Sequence, residues 1–270
     1  VQQVNLFISQ SIASFIPGAV SILSYAERLY QLPLAIIGVT FGTILLPELS
    51  QIYQKKDITS ANNLQNKAII ISLVLSVPAT IGLFVLANPI IHLIYERGAF
   101  ITEDTTKTAN ALAAFSLGLP AFVIAKILTP IFYANGDTKT PMRITIWSLL
   151  VNTFLNIVLM IPFGHVGIAM GSSIAAWYNV WLLNKYAGNC GDFIIFTKTK
   201  NCIYKVGVSA FIMTLTLFLA NYFCQELYYS NSVGVKILAL FFTIFIAGMV
   251  YMLILYFFKI HLIFRKKADG

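Results

Sequence analysis

Two neighbouring charged side chains, Glu27 and Arg28, stand directly before a long segment without charge. Residues 32–46 contain only apolar and small residues, with Pro33 at the start and Pro47 just beyond the end. A soluble protein has little use for such a segment, whereas a membrane protein that carries a charged substrate does. The alternative is a simple ion pair between Arg28 and Glu27 at the membrane interface, and the spacing alone favours that pair.

A third charged side chain, Lys126, lies well inside a later apolar run. A charge at that depth costs a few kcal/mol on insertion scales, so the ammonium is expected to face the bundle interior or water. The alternative is that the long side chain reaches back to the interface, where Tyr133 lies two turns away. Because ionisable residues inside a membrane are functional candidates by default, we favour the first interpretation.

Uncharged polar residues mark three of the apolar runs. Asn5 and Ser9 share a helical face of the first run, where they either bind a neighbouring helix or line a water-filled cavity. Asn152 and Asn156 are four residues apart in the fifth run, and Ser172 follows in the sixth. Asparagines in lipid usually join helices by hydrogen bonds. A weak cation site of amide, hydroxyl and backbone oxygens is the alternative, although it would lack a carboxylate.

The residue types needed for catalysis are sparse. The chain has three histidines and three cysteines, and none stands at the spacing of a metal site, a disulfide framework or a catalytic triad. A P-loop sequence is also missing, so this chain does not hydrolyse ATP to drive transport. We therefore expect no enzyme activity, no cofactor and no metal.

Composition places the chain in a bilayer. Hydrophobic residues make up 58% of it and charged residues 10%, against about a quarter charged in ordinary soluble domains. The net charge of +8 is spread over short loops and does not form a basic stripe with interleaved aromatic residues. Binding to nucleic acid is therefore not expected.

Charge-poor runs of about 20 residues, the length that spans a bilayer, predict an all-α polytopic transmembrane bundle. There are eight such runs, at 4–24, 33–53, 68–91, 109–132, 144–162, 166–184, 203–223 and 237–258. With the first span starting in the cytoplasm, the inner loops and tail carry 13 of the 18 basic residues. This asymmetry follows the positive-inside rule and predicts that both ends are cytoplasmic.

Residues 1–258 are accordingly predicted to form the membrane domain. Residues 259–270 would form a basic cytoplasmic tail that is attracted to anionic lipid of the inner leaflet. The chain begins with a valine that enters an apolar run at once, and we expect it to be the C-terminal piece of a longer protein.

Three motifs resemble one family of transporters. The segments YAERLYQLPLAIIGVTFGTILLPELS (25–50), IYERGAF (94–100) and AAFSLGLPAFVIAKILTPIFYANGDTKTP (113–141) are similar to the signature of the MurJ/MviN lipid II flippases, members of the MOP superfamily. Weaker similarity extends the match over most of residues 1–190. That family has a core of fourteen helices in two lobes. The resemblance implies that this chain is helices seven to fourteen, the C-terminal lobe, without the N-terminal lobe.

The resemblance also implies roles for single residues. An arginine at the place of Arg28 lies in the family's central cavity, where a guanidinium can bind the pyrophosphate of lipid II in a bidentate way. Glu27 replaces a commoner aspartate, and Lys126 matches a basic position of the tenth helix. Some members bind a cation with an aspartate near Ser9 and another near Asn156. Neither acid is present here, which argues against sodium coupling.

The expected function is therefore that of a flippase. It would move lipid II, the undecaprenyl-pyrophosphate-linked peptidoglycan precursor, across the bacterial inner membrane by alternating access of two lobes. Its partners would be lipid II, membrane lipids and the cell-wall synthesis machinery. It would take part in peptidoglycan biosynthesis and so affect cell shape. The alternatives are another MOP-type exporter, of a polyprenyl-linked saccharide or of drugs coupled to a cation, and an inactive membrane scaffold or remnant.

Overall fold

The computed structural model describes residues 2–55, 57–189, 193–229 and 232–260, and the regular structure within those ranges is helical throughout. The described helices are α1 (Gln2–Ala13), α2 (Ala19–Gln54), α3 (Ile58–Val85), α4 (Ala87–Tyr95), α5 (Thr102–Ser116), α6 (Leu119–Ala134), α7 (Lys139–Phe163), α8 (His165–Asn189), α9 (Thr197–Tyr228) and α10 (Val233–Phe257). The predicted all-α class is confirmed. The predicted basic tail lies outside the described residues from residue 261 onward.

Six helical stretches among the described residues are long and apolar enough to cross a membrane. They are Ile58–Val85, Thr102–Ala134, Lys139–Phe163, His165–Gly188, Thr197–Tyr228 and Val233–Phe257. Each overlaps one of the predicted third to eighth spans. The chain is therefore a polytopic membrane protein over this part of its length.

The region of the first two predicted spans differs from the prediction. The chain leaves helical geometry after Ala13, and Gly18 takes a φ of 75°, which an L side chain would resist. From Ala19 onward α2 is one uninterrupted helix of 36 residues, in spite of Pro33 and Pro47. At 1.5 Å per residue it is about 54 Å long, well beyond the roughly 30 Å hydrocarbon core of a bilayer. The break between these two predicted spans therefore lies at residues 14–18 and not at 25–32, because Glu27 and Arg28 are part of this helix.

The fourth predicted span is bent where α5 passes into α6. At Gly118 a Cβ would lie 2.9 Å from the Cα of Ser173 in α8, so α8 crosses tightly at the bend. The Ser173 hydroxyl donates to the carbonyl of Ala114 at 2.7 Å, and the Trp177 indole N–H donates to that of Leu117 at 3.0 Å. Side chains of α8 thus satisfy carbonyls that the bend leaves without partners, as a membrane interior requires.

Helices α7 and α8 are held together by two glycines four residues apart. A Cβ at Gly167 would lie 2.0 Å from the carbonyl oxygen of Leu159, and one at Gly171 would lie 2.4 Å from the side-chain amide group of Asn156. Small residues at this spacing let two membrane helices approach until their backbones touch. The contact fixes the rotation of α7, and with it the direction of its polar face.

Helices α9 and α10 form a pair at the side of the bundle. Asn62 and Asn66 of α3 bind the extended segment that leads into α9. The Asn62 amide oxygen accepts from the Ile194 N–H at 2.9 Å, and the Asn66 amide binds the Ile194 carbonyl at 2.8 Å and the Phe196 N–H at 3.1 Å. The Tyr251 hydroxyl of α10 donates to the carbonyl of Val74 at 3.0 Å. The pair is therefore fastened to α3 by a few hydrogen bonds around a small apolar core.

Candidate functional site

Two adjoining cavities open between α1, α2, α6 and α8. The first cavity has a volume of about 340 Å³ and also touches α5. The second cavity has a volume of about 430 Å³ and extends along α7. The residues that line both are Asn5, Leu34, Phe122, Lys126 and Ser172. The cavities therefore meet at a common wall, and that wall contains the one charged side chain shared by their described linings.

The first cavity is lined by hydrogen-bonding groups of α1 and α2. They include Gln10, Ser24, Glu27 and Gln31. Gln31 follows Glu27 by one helical turn, and its amide nitrogen donates to the Glu27 carboxylate at 2.9 Å. Ser24, Glu27 and Gln31 are spaced three or four residues apart along α2, so a single face of that helix supplies them.

Three aromatic rings also line the first cavity. Tyr30 stacks on Phe115 at a centroid distance of 5.1 Å and on Phe122 at 5.9 Å, with interplanar angles of 19° and 30°. Offset stacking of this kind adds to the stabilisation that burial of the rings provides. The lining of the first cavity therefore combines stacked aromatic rings with hydrogen-bonding groups.

Lys126 lies at the junction of the two cavities. Its side chain is half-buried and crosses α2 at Gly38, where a Cβ would lie 2.6 Å from the lysine Cδ and 2.9 Å from Nζ. Among the described residues no carboxylate is within ion-pairing distance of this ammonium. The structure thus places the cation inside the bundle, next to open space, without a counter-ion in the described part of the chain.

Arg28 faces another direction. Its side chain is exposed and is absent from the described linings of both cavities. Of these two neighbours on α2, Glu27 is among the residues that line the first cavity and Arg28 is not. Within the described residues the ion pair with Glu27 is also not formed. A role of Arg28 in substrate binding stays a prediction.

Asn5 and Ser9 of α1 are placed at the cavities, as is Ser172 of α8. The Asn5 amide oxygen is buried and has no hydrogen-bond partner in the described structure. Ser9 contributes its hydroxyl to a second feature, a polar cluster with the two asparagines of α7. The α1 residues singled out from sequence therefore lie beside Lys126, although their participation in binding stays a prediction.

The polar cluster consists of Ser9, Asn152, Asn156 and Ser172. The Asn156 amide lies 3.1 Å from the Ser9 hydroxyl and 3.0 Å from the amide oxygen of Asn152. The amide nitrogen of Asn152 donates to the Ser172 hydroxyl at 3.2 Å. With its nitrogen turned toward α8, Asn156 also donates to the carbonyls of Asn152 and Ile168, at 3.2 and 3.1 Å. Three helices are joined in this way.

The predicted weak cation site coincides with this cluster. Its four side chains bind one another, and none of them carries a charge. Across the described ranges no three histidine, cysteine, aspartate or glutamate side chains come together to hold a metal. The geometry suits hydrogen bonding between helices, and a cation site stays a prediction.

Several lining residues were not singled out from sequence, above all Gln31, Tyr30 and Phe122. A signal was available for Gln31, which stands four residues after Glu27 and shares its helical face. That relation was missed because Glu27 and Gln31 both lie between the first two predicted spans, at 4–24 and 33–53. The contact of Gly38 with Lys126 had no sequence signal, because the two residues belong to different helices.

Comparison with known proteins gives a consistent answer. The family described as "Lipid II flippase MurJ" matches residues 1–239. The probable lipid II flippase MurJ of Rickettsia prowazekii (strain Madrid E) is 53% identical over 237 residues, which is 88% of this chain and 47% of that protein. A solved structure titled as lipid II flippase MurJ in an inward closed conformation superposes with a TM-score of 0.80 at 28% identity. It covers 97% of this chain and 52% of its own.

More distant structures share the fold alone. An outward-facing multidrug resistance MATE transporter of the MOP superfamily superposes with a TM-score of 0.61 at 15% identity, over 94% of this chain and 61% of its own. The chain thus spans about half the length of the curated relatives and solved structures that it matches.

Proposed function

The chain belongs to the lipid II flippase MurJ family, and from this premise we propose that it supplies the C-terminal lobe of a protein that moves lipid II across the bacterial inner membrane. Its family and its apolar helices make it a multi-pass inner-membrane protein. The observation that carries the proposal is Lys126, a cation inside the bundle at the junction of two cavities and without a carboxylate partner in the described residues. A half-buried cation inside a membrane bundle is suited to an anionic ligand.

Residues 1–258 would form this lobe and cross the membrane eight times with both ends cytoplasmic, and residues 259–270 would follow as a basic tail. α1 and α2 would add two crossings to the six long apolar helices, and α2 with its 36 residues is long enough for one of them. The predominance of basic residues in the predicted inner loops supports the orientation. The match to about half of a longer solved structure supports the assignment to one lobe of two.

The substrate head would lie against the faces of α1, α2, α6 and α8 that line the cavities. The ammonium of Lys126 would bind the pyrophosphate, because a charge-assisted hydrogen bond to phosphate is among the stronger polar contacts. Glu27, Gln31 and Asn5 would bind hydroxyl and amide groups of the saccharide and peptide. The undecaprenyl tail would stay in the bilayer.

Arg28 would act from outside these two cavities. It lies on the exposed side of α2 and has no carboxylate partner among the described residues. We propose that this side of α2 faces the second lobe, so that Arg28 reaches the pyrophosphate when the two lobes together enclose the substrate. Rocking of the lobes would then expose the site alternately to the two sides of the membrane.

The membrane potential is the energy source that we propose. Moving one elementary charge across it is worth about 2.3 kcal/mol per 100 mV, and the substrate is anionic. The polar cluster around Asn152 and Asn156 has no carboxylate with which to bind a hard cation tightly. Its role would be to hold α1, α7 and α8 together during the motion.

The test is a chimera in which this chain replaces the matching region of the Rickettsia prowazekii relative. The chimera is expressed in bacteria depleted of their own flippase, with the intact relative as the control. We expect both proteins to restore growth and to deliver lipid II to the outer leaflet. A chimera that reaches the membrane at the level of the relative but delivers no lipid II would contradict the proposal.

The fold is compatible with a second function. The multidrug transporters that share it make a drug exporter the alternative. Drug efflux by the chimera, with no delivery of lipid II, would favour that alternative over ours.

A further inference from the structure

The contact between Gly38 and Lys126 differs from the other tight glycine contacts. At Gly167 and Gly118 an added Cβ would meet the backbone of another helix, at 2.0 and 2.9 Å. At Gly38 the three nearest atoms all belong to the Lys126 side chain, namely Cδ at 2.6 Å, Nζ at 2.9 Å and Cε at 3.2 Å. Gly38 therefore makes room for a charged side chain and not for a helix backbone.

The absence of a side chain at Gly38 determines where the Lys126 side chain runs. α2 and α6 pack side by side, and the flexible stem of Lys126 lies across α2 in the space that a side chain at position 38 would fill. Gly38 itself is buried, so this space is inside the bundle. The stem leads the ammonium to the wall that the two cavities share.

We propose that Gly38 is a positioning residue that sets the Lys126 ammonium at the junction of the two cavities, where it can bind the anionic group of the substrate. This inference rests on the proposed function and adds to it a residue on a different helix from the cation. Any larger residue at position 38 would push the ammonium away from its place, and the anion would lose its contact.

The substitution that tests this role does not have to disturb the fold. Alanine favours helix more than glycine does, and the atoms that it displaces are the far end of a flexible side chain. Gly38→Ala should therefore move the cation and leave α2 intact. Gly248→Ala in α10 is the matched control, because a Cβ there meets nothing within 4 Å.

The first measurement is lipid II translocation by the chimera with Gly38→Ala, Lys126→Met, both changes, or Gly248→Ala. A lost charge-assisted contact corresponds to a fall of about tenfold or more. We expect such a fall for each of the first two variants, no further fall for the double variant, and none for Gly248→Ala. Unchanged transport by Gly38→Ala would overturn the inference, and so would a double variant whose loss is the product of the two single losses.

The second measurement does not depend on transport. This chain in lipid vesicles is treated with a membrane-permeant amine-reactive ester, and modification of Lys126 is followed by mass spectrometry. We expect Gly38→Ala to change the rate at Lys126, with Gly248→Ala at the wild-type rate. An unchanged rate in Gly38→Ala would overturn the positioning role. Failure of the unsubstituted chimera to move lipid II would instead count against the proposed function.

Discussion

The cavity region, built from α1, α2 and α5–α8, and the α9–α10 pair use polar side chains in different ways. In the cavity region polar groups surround open space, and Lys126 is left there without a carboxylate partner among the described residues. In the pair, polar groups appear at isolated points and are satisfied by hydrogen bonds, such as that between Tyr228 and Thr243 at 2.7 Å. Polar residues within a bilayer can thus bind a ligand or join helices. Open space beside the polar groups indicates the first use, and hydrogen bonds to a neighbouring helix indicate the second.

Glycines show the same contrast. In the cavity region Gly118, Gly167 and Gly171 are each in contact with a neighbouring helix, whereas Gly207 and Gly248 of the pair have open space around them. Close helix contacts keep the cavity walls in place. The pair has no such contacts at its glycines, which is consistent with a lipid-facing position.

The largest expected difference in stability is between a glycine-to-alanine substitution in the cavity region and one in the α9–α10 pair. Gly167→Ala places a Cβ 2.0 Å from the Leu159 carbonyl oxygen, a backbone atom that cannot move aside. We expect a loss of about 3 kcal/mol or more in the free energy of unfolding, at the upper end of overpacking. Gly207→Ala, measured in the same detergent by thermal unfolding, should be neutral or slightly stabilising. Equal effects at the two sites would remove the contrast between the regions.

A second substitution separates the attachment of the pair from the cavity. Asn66→Ala removes the partner of the Ile194 carbonyl and of the Phe196 N–H, and should lower the free energy of unfolding by about 2 kcal/mol. Hydrogen exchange should rise in α9 and stay unchanged in α6. The control is Asn63→Ala, one turn away on the exposed side of α3. Faster exchange in α6 as well would mean that the two regions unfold as one unit.

A smaller change tests a single contact of the pair. Tyr251→Phe removes the hydroxyl that donates to the Val74 carbonyl and keeps the ring, which is almost fully buried. We expect a loss of about 1 kcal/mol in the free energy of unfolding. Transport by the chimera should be unaffected, and a transport defect would show that the pair takes part in the mechanism.

The smallest effect concerns pH at the turn before α7. Hydrogen bonds from the Thr140 side chain and backbone, and from the Lys139 N–H, lower the pKa of the Asp137 carboxyl below its usual value of 3.8. Its contribution to stability is therefore complete above pH 3.8 and is lost as the pH falls through the lowered pKa. Asp137→Asn should slightly destabilise the protein at pH 7, and the difference from wild type should vanish in strong acid. A difference that persists there would assign the effect to something other than the carboxylate charge.

Sequence reasoning succeeded where a property repeats along one helix. The six spans from α3 to α10 followed from runs of apolar residues, and Lys126 stood out because a charge inside such a run is rare. It failed between residues 14 and 33, where the predicted spans are separated at Glu27 and Arg28 although α2 continues through them. A hydropathy scale measures the free energy of transfer of a residue into lipid. It does not take into account that a membrane helix can contain charged residues where one of them faces a cavity.

The composition and motifs of this chain by themselves determined its membrane class, its helical nature and its family, because each depends on residues close together in sequence. Only the tertiary structure decided that Glu27 and not Arg28 lines the first cavity, that Lys126 rests on Gly38, and that Asn66 holds the segment before α9. Each of these depends on how far a helix is rotated and what packs against it. That rotation is set by contacts between residues distant in sequence, such as Gly38 with Lys126, and no local pattern encodes it.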